Sequence, residues 1–198
     1  MKYIINTLYF LSGRIYVPTH LLGRKNVIMH ISDTPSNIYA SIIKLVKKIN
    51  PKYIIHTGDI VDNIKLELYP NRLNEYKDYA SIFISELVKY TSSRIIIVPG
   101  NHDNIDVIKK LDKIYIVEEG SSISIEDINI GVSHKINNLP KYKCDFYLYG
   151  HDKSKGNRNQ LNGINSINII DIESKNVFHL KYPMGTDNYR LLRTKIGI

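Results

Sequence analysis

The spacing of apolar residues switches repeatedly along this chain between a period of two and a period near 3.6, which predicts alternating strands and helices. Val27 to Ser32 reads as a first core strand. Ser36 to Asn50 follows as an amphipathic helix, with Ile38, Ile42, Leu45, Val46 and Ile49 on one face, Ser36 as the expected N-cap and Asn50-Pro51 as its end. Lys52 to Thr57 is the second strand. A polar stretch then runs to Pro70, a long helical pattern from about Arg72 to Tyr90 returns the chain, and Arg94 to Val98 forms a third strand, completing a right-handed βαβαβ framework.

Beyond a short helix from Ile105 to Leu111, with Asp103 as its expected N-cap, turn residues separate a series of strands. These are Ile114 to Val117, Ser122 to Ile125, Ile128 to Ser133, Phe146 to Tyr149, Ser166 to Ile172 and Asn176 to Tyr182. This half is expected to build a second sheet packed on the first. Leu8 to Tyr16 is expected as an edge strand or a cap, because Gly13, Pro18 and Gly23 break any long element, and residues 184–198 as a docked or frayed tail. Neither the extension 1–25 nor that tail is assigned a function.

Composition narrows the class. A chain of 198 residues suits one α/β domain, and no apolar run approaches the ~18 residues of a membrane span. The N-terminus, Met1 to Leu11, has one Lys, an apolar part interrupted by Asn6 and Thr7, and no small-residue cleavage site after it, so it reads as mature sequence. The single Cys144 excludes an internal disulfide and a thiolate zinc site; among Tyr142, Phe146 and Leu148 it is expected as a buried structural thiol, and a reducing cytoplasm fits. A net charge of +8 favours anionic ligands such as phosphate esters or nucleic acid, or else is a solvated basic surface. Lys141, Lys143, Lys153, Lys155 and Arg158 gather around the His151 loop, where a substrate phosphate would arrive.

The candidate chemistry lies at strand ends. Asp33 ends the first strand, Asp59 the second and Asn101 the third; His134 follows Ile128 to Ser133, and His151 follows Phe146 to Tyr149 through Gly150. The C-terminal edge of an open α/β sheet is where ligands bind. Carboxylates, an amide oxygen and neutral imidazoles together suit a divalent transition metal, Mn, Fe, Zn, Ni or Co, acting on phosphate.

In chain order these residues stand as Asp33-Thr-Pro35, Gly58-Asp-Ile-Val-Asp62, Gly100-Asn-His-Asp103, Ser133-His134 and Gly150-His-Asp-Lys153. The series resembles the D-x-H, G-D-x-x-D, G-N-H-D/E, single-His and G-H-x-H blocks of the calcineurin-like metallophosphoesterases. The resemblance implies a four-layer αββα sandwich of two packed mixed sheets flanked by helices, with Asp59 bridging two ions. Asn101, His134 and His151 would complete one ion's set. The other ion keeps Asp33 but loses two imidazoles, replaced here by Pro35 and Lys153. His30 and His56 lie three positions before the two carboxylates, on the opposite strand face, and are expected in the core.

The resemblance further assigns His102 to proton delivery to the leaving oxygen, with Asp62 holding the ring, in a hydrolysis by metal-activated water. One hypothesis is a mononuclear centre in which Lys153 neutralises Asp33 and Asp59 and supports the substrate. Three functions remain open: a phosphodiesterase acting on small esters or nucleotides, a degenerate binding protein without turnover, and a nuclease, the last not favoured because no basic-aromatic channel emerges. Substrate choice is expected to lie in the loops Asn63 to Asn71 and Ile136 to Lys143.

Overall fold

In the computed structural model, which describes residues 2–24, 26–90 and 93–190, helix α1 (Lys2–Leu11) comes first. Then follow strand β1 (Val27–Ile31), α2 (Tyr39–Ile49), β2 (Tyr53–His56), α3 (Leu73–Tyr90), β3 (Arg94–Ile97), α4 (Ile105–Ile108), β4 (Ile114–Ile116), β5 (Ser121–Ile125) and β6 (Ile128–Val132). β7 (Phe146–Tyr149), β8 (Gln160–Asn162), β9 (Ile167–Asp171), β10 (Val177–Leu180) and α5 (Thr186–Arg190) complete the order. The six-stranded sheet runs β10-β9-β1-β2-β3-β4, parallel from β1 to β4 and antiparallel at β9. The four-stranded sheet runs β5-β6-β7-β8, with β5 antiparallel to β6 and the rest parallel.

Both sheets are therefore mixed, and they stack with flanking helices in an α/β sandwich. Every residue of β1 is buried because both faces of the strand are covered. Met29, Ile31, Ile54 and Ile97 meet Ile42, Leu45 and Val46 of α2 and Tyr76, Ala80 and Phe83 of α3. Ile28, Ile55, Ile96 and Ile170 face the second sheet and pack on Ile130, Val132, Leu148 and Leu161. Each such burial contributes about 1.5–3 kcal/mol before chain entropy is subtracted. On the other face of the second sheet, Pro140, from the loop holding a 3-10 turn at Ile136–Asn138, lies directly over Gly131.

Several local expectations change. Ser36 does not cap α2 with its hydroxyl: a 3-10 turn occupies Ser36–Ile38, and the Ser36 backbone N–H donates to Asn63 Oδ1 (2.8 Å). α2 ends as expected at Asn50, which takes a left-handed φ of 49° and donates its N–H to Val46 O. α4 is capped by Asn104, whose Oδ1 accepts from Val107 N (3.0 Å), not by Asp103, and it stops at Ile108 rather than Leu111. The segment from Leu8 forms the end of α1 rather than an edge strand, and Arg14 N–H closes that helix on Tyr9 O. β8 was not legible, since three residues carry no periodic signal. Of the expected tail, 191–198 lie outside the described residues. No helix among the described residues is long and apolar enough to cross a membrane.

Candidate metal centre

Register brings the site together. Ile31, His56 and Ile97 stand side by side across β1, β2 and β3, so three chains leave the sheet at one edge. Asp33 N–H then donates to Gly58 O (2.9 Å) and Thr34 N–H to Asp59 O (3.0 Å), tying the first two loops to each other. In the second sheet Val132 pairs with Leu148, and Gly150 N–H donates to His134 O (2.9 Å), which aligns His134 and His151 at the same edge.

The loops are tight enough that Asp33 (φ 49°), Asp59 (φ 56°) and His151 (φ 68°) all occupy the left-handed region, a conformation that costs energy outside glycine and recurs at functional sites. Gly58 (φ 99°) is required twice over, by its backbone and because a Cβ there would lie 2.5 Å from His134 Nδ1. A Cβ on Gly100 would sit 2.7 Å from Asp59 N and overlap Asp59 Oδ1.

Four donor atoms converge. His134 Nε2 lies 3.0 Å from Asn101 Oδ1, 3.1 Å from His151 Nδ1 and 3.4 Å from Asp59 Oδ2. An ion about 2.1 Å from each donor would separate neighbours by about 3.0 Å at right angles and about 3.4 Å at the tetrahedral angle, so the observed spacings fit a transition-metal centre. The tautomer fits as well: His134 Nδ1–H donates to Thr57 O (2.7 Å), which leaves the Nε2 lone pair for the centre. This cluster also draws a proton. Burial works against a charged His134, but Asp59, Asp33 and the Thr57 carbonyl carry its pKa up to about 10. Burial likewise opposes an ionised Asp59, yet His134 and His102 hold it well below the usual carboxylate range.

Asp33, Asp59 and Asp62 form a second, fully buried group, each offering an oxygen within 4.8 Å of the others. Asp33 Oδ2 accepts from Ser32 Oγ (2.5 Å) and His151 N (3.0 Å). Burial, then its neighbour Asp59, pushes Asp33 up; burial, then Asp33 and Asp59, pushes Asp62 up to about 8. One oxygen of Asp62 is buried without a protein partner.

The cations around this group are not those expected. Lys153 does not neutralise Asp33 or Asp59: it is exposed, and its Nζ donates to Asp187 Oδ2 (2.6 Å). Instead Lys65 Nζ sits 2.5 Å from Asp62 Oδ1. Arg190, buried in α5, donates Nε–H to Asp33 O (2.6 Å), Nη2–H to Ser32 O (2.9 Å) and Nη1–H to Ile164 O (2.9 Å). The tail that carried no expected role thus braces the first loop from behind.

The His102 pairing also differs. Asp62 is taken up by Lys65, while the carboxylate facing His102 belongs to Glu67, with Oε2 3.8 Å from Nδ1. Glu67 Oε2 also accepts from Asn101 Nδ2 (2.5 Å), which turns the Asn101 amide oxygen toward His134. His102 N–H donates to Asp59 Oδ1 (2.9 Å). Asp103 organises the loops: its carboxylate accepts from Asp59 N, Ile60 N and Gly100 N (each 2.8 Å) and from Tyr76 Oη (2.9 Å). Sequence missed these roles of Lys65, Glu67, Asp103 and Arg190.

His30 and His56 lie in the core, as their strand positions required. His30 bonds Thr57 and Asn168, His56 bonds Thr34 and accepts from Gly58 N, and burial lowers both to about 3. Cys144 is buried too.

Comparison with known proteins agrees with this architecture. The sequence model of the calcineurin-like phosphoesterase family matches residues 27–184. No curated protein matches. Among solved structures, Yfce, a phosphoesterase from E. coli, superposes with a TM-score of 0.51 at 15% identity, over 79% of this chain and 98% of that one. A protein of unknown function from Aquifex aeolicus gives 0.45 at 18% identity over 70% and 90%, and the Pseudomonas putida nuclease MPE 0.39 at 16% over 71% and 66%. With the family match spanning both sheets and every strand end that bears a candidate ligand, the chain belongs to the calcineurin-like phosphoesterases, a metal-dependent family acting on phosphate esters.

Proposed function

We propose that this chain is a metal-dependent phosphodiesterase, with Asp59, Asn101, His134 and His151 holding a divalent transition-metal ion and His102 protonating the leaving oxygen. The observation that carries the reading is the convergence of those donors on His134 Nε2 at 3.0, 3.1 and 3.4 Å. When bound, the ion supplies Lewis acidity and lowers the pKa of a water toward ~7. Thr57 O keeps the His134 lone pair pointed inward, Glu67 turns the Asn101 amide, and Asp59 Oδ1 fixes the His102 backbone.

A diester fits this charge environment better than a monoester. Asp33, Asp59 and Asp62 group at the centre, and the exposed Glu67 bonds the Asn101 amide. They repel a phosphate dianion more than the single negative charge of a diester. The test is hydrolysis of bis-p-nitrophenyl phosphate against p-nitrophenyl phosphate with Mn, Ni, Co, Zn and Mg, using the parent and Asn101→Ala. Metal-dependent diester turnover that Asn101→Ala abolishes supports the reading. Monoester preference refutes the diester assignment.

A non-hydrolysing, ligand-binding role has one observation in its favour, the diversion of Asp62 from His102 to Lys65. Folded, metal-loaded protein that turns over neither ester would establish that alternative.

A further inference from the structure

We infer that Lys65 supplies the positive charge that a second divalent ion would bring to Asp33, Asp59 and Asp62, so that this chain holds one ion with a fixed ammonium beside it. The inference rests on the metal centre proposed above, and concerns the half of the site that has lost two imidazoles to Pro35 and Lys153.

The loop carrying Lys65 is fastened to the site of the first loss. Asp62 N–H donates to Thr34 O (3.2 Å) on one side of Pro35, and Ser36 N–H donates to Asn63 Oδ1 (2.8 Å) on the other. Ile64 is fully buried in the helix-side core and anchors the loop from below. Lys65 then takes a left-handed φ of 53° and turns its ammonium onto Asp62, whose side chain is wholly buried; the Lys65 side chain itself is 14% exposed. This is a built contact, unlike the exposed pair of Lys153 with Asp187.

The C-terminal helix fixes the ammonium from the other direction. Lys65 Nζ donates to Arg190 O (3.2 Å), and the guanidinium of that same residue grips Ser32 O and Asp33 O. Lys65, Asp62, Asp33 and Arg190 therefore form one connected unit, in which a carbonyl and a carboxylate use two of the ammonium's three donors.

Charge placement agrees. Asp33, Asp59 and Asp62 are three buried acidic groups, and two cations are fixed beside them, Lys65 on Asp62 Oδ1 and Arg190 on the Asp33 backbone carbonyl. Remove the ammonium and three buried carboxylate oxygens remain, a hard oxygen set that accepts Mn.

The experiment counts ions in the full chain loaded with excess Mn and desalted, by elemental analysis and by electron paramagnetic resonance. The parent is expected to hold one Mn with the signal of an isolated ion. Lys65→Met is expected to approach two, with a spin-coupled signal from ions sharing Asp59, and Lys65→Arg to stay at one. Two ions in the parent overturn the inference, as does a single ion in folded Lys65→Met. Should Lys65→Met not fold, Lys65→Gln takes its place, and the parent's own count still decides. A folded parent that binds no Mn overturns the metal centre itself, an outcome distinct from a count of two.

Discussion

Asp59 and His134, each 2% exposed, face one another with Oδ2 and Nε2 3.4 Å apart, and this pair makes metal binding compete with a proton. Without a divalent ion, the raised His134 pKa of about 10 contributes stability in full below its unfolded value near 6.5 and loses it as pH rises through 10. The depressed Asp59 contributes above its unfolded value of 3.8 and loses that contribution as pH falls through its lower folded value. An ion must displace the His134 proton, so Mn affinity is expected to rise steadily from pH 6 to 9, with about one proton released per ion at pH 7. Calorimetry in buffers of different protonation enthalpy measures that proton. An affinity flat across this range would show that His134 is not a ligand.

Asp103 is expected to matter more to stability than its partly buried loop position suggests. Three backbone N–H groups and the Tyr76 hydroxyl depend on its carboxylate. Asp103→Ala is expected to destabilise by about 3 kcal/mol or more and to weaken Mn binding, because Asp59 and Gly100 lose their tether. Tyr76→Phe removes only one of the four bonds and is expected to cost about 1 kcal/mol. Urea denaturation read by circular dichroism checks both, and equal losses in the two variants would contradict this division.

The strand ends were legible because chemistry and periodicity coincide there: Asp33, Asp59 and Asn101 each follow a buried run, and parallel pairing fixes them at one edge. Their supports were not. Lys65 and Glu67 lie in a loop with no periodic signal, and their partners, Arg190 on one side and Asn101 on the other, are set by tertiary packing. Block spacing pointed to Lys153 because it occupies an expected imidazole position, but local sequence cannot tell which way an exposed ammonium turns. Asp103 reads equally well as an N-cap or as a loop tether until the fold places Asp59 N–H beside it.

Arg190 and Lys153 provide a direct contrast between a buried and an exposed cation. Arg190 satisfies three carbonyls and stacks 3.9 Å from the Tyr182 ring centroid, whereas Lys153 pairs with Asp187 at the surface. Arg190→Met is expected to lower stability by roughly 3 kcal/mol, and Lys153→Ala to change it by no more than about 0.5 kcal/mol. Thermal melts of the two variants test this. A costly Lys153→Ala would return that residue to the site.

Glu67, rather than Asp62, is expected to join Asp59 in raising the working pKa of His102. Burial lowers the His102 pKa, while Asp59 and Glu67 pull it back up and Lys65 and His134 push it down. If His102 is the general acid, turnover falls as pH rises past its pKa, so removing a raising carboxylate must move that alkaline limb to lower pH. Glu67→Gln keeps the shape and the contact to Asn101 but removes the charge; it is expected to shift the limb downward with Mn content unchanged. Asp62→Asn loses its pair with Lys65 and is expected to act on metal count more than on the limb. His102→Asn, with the ion still bound, is expected to lose about 10²-fold or more in turnover. The pH profile of diester hydrolysis distinguishes the carboxylates, and a limb that moves in Asp62→Asn but not in Glu67→Gln would restore the pairing that the sequence suggested.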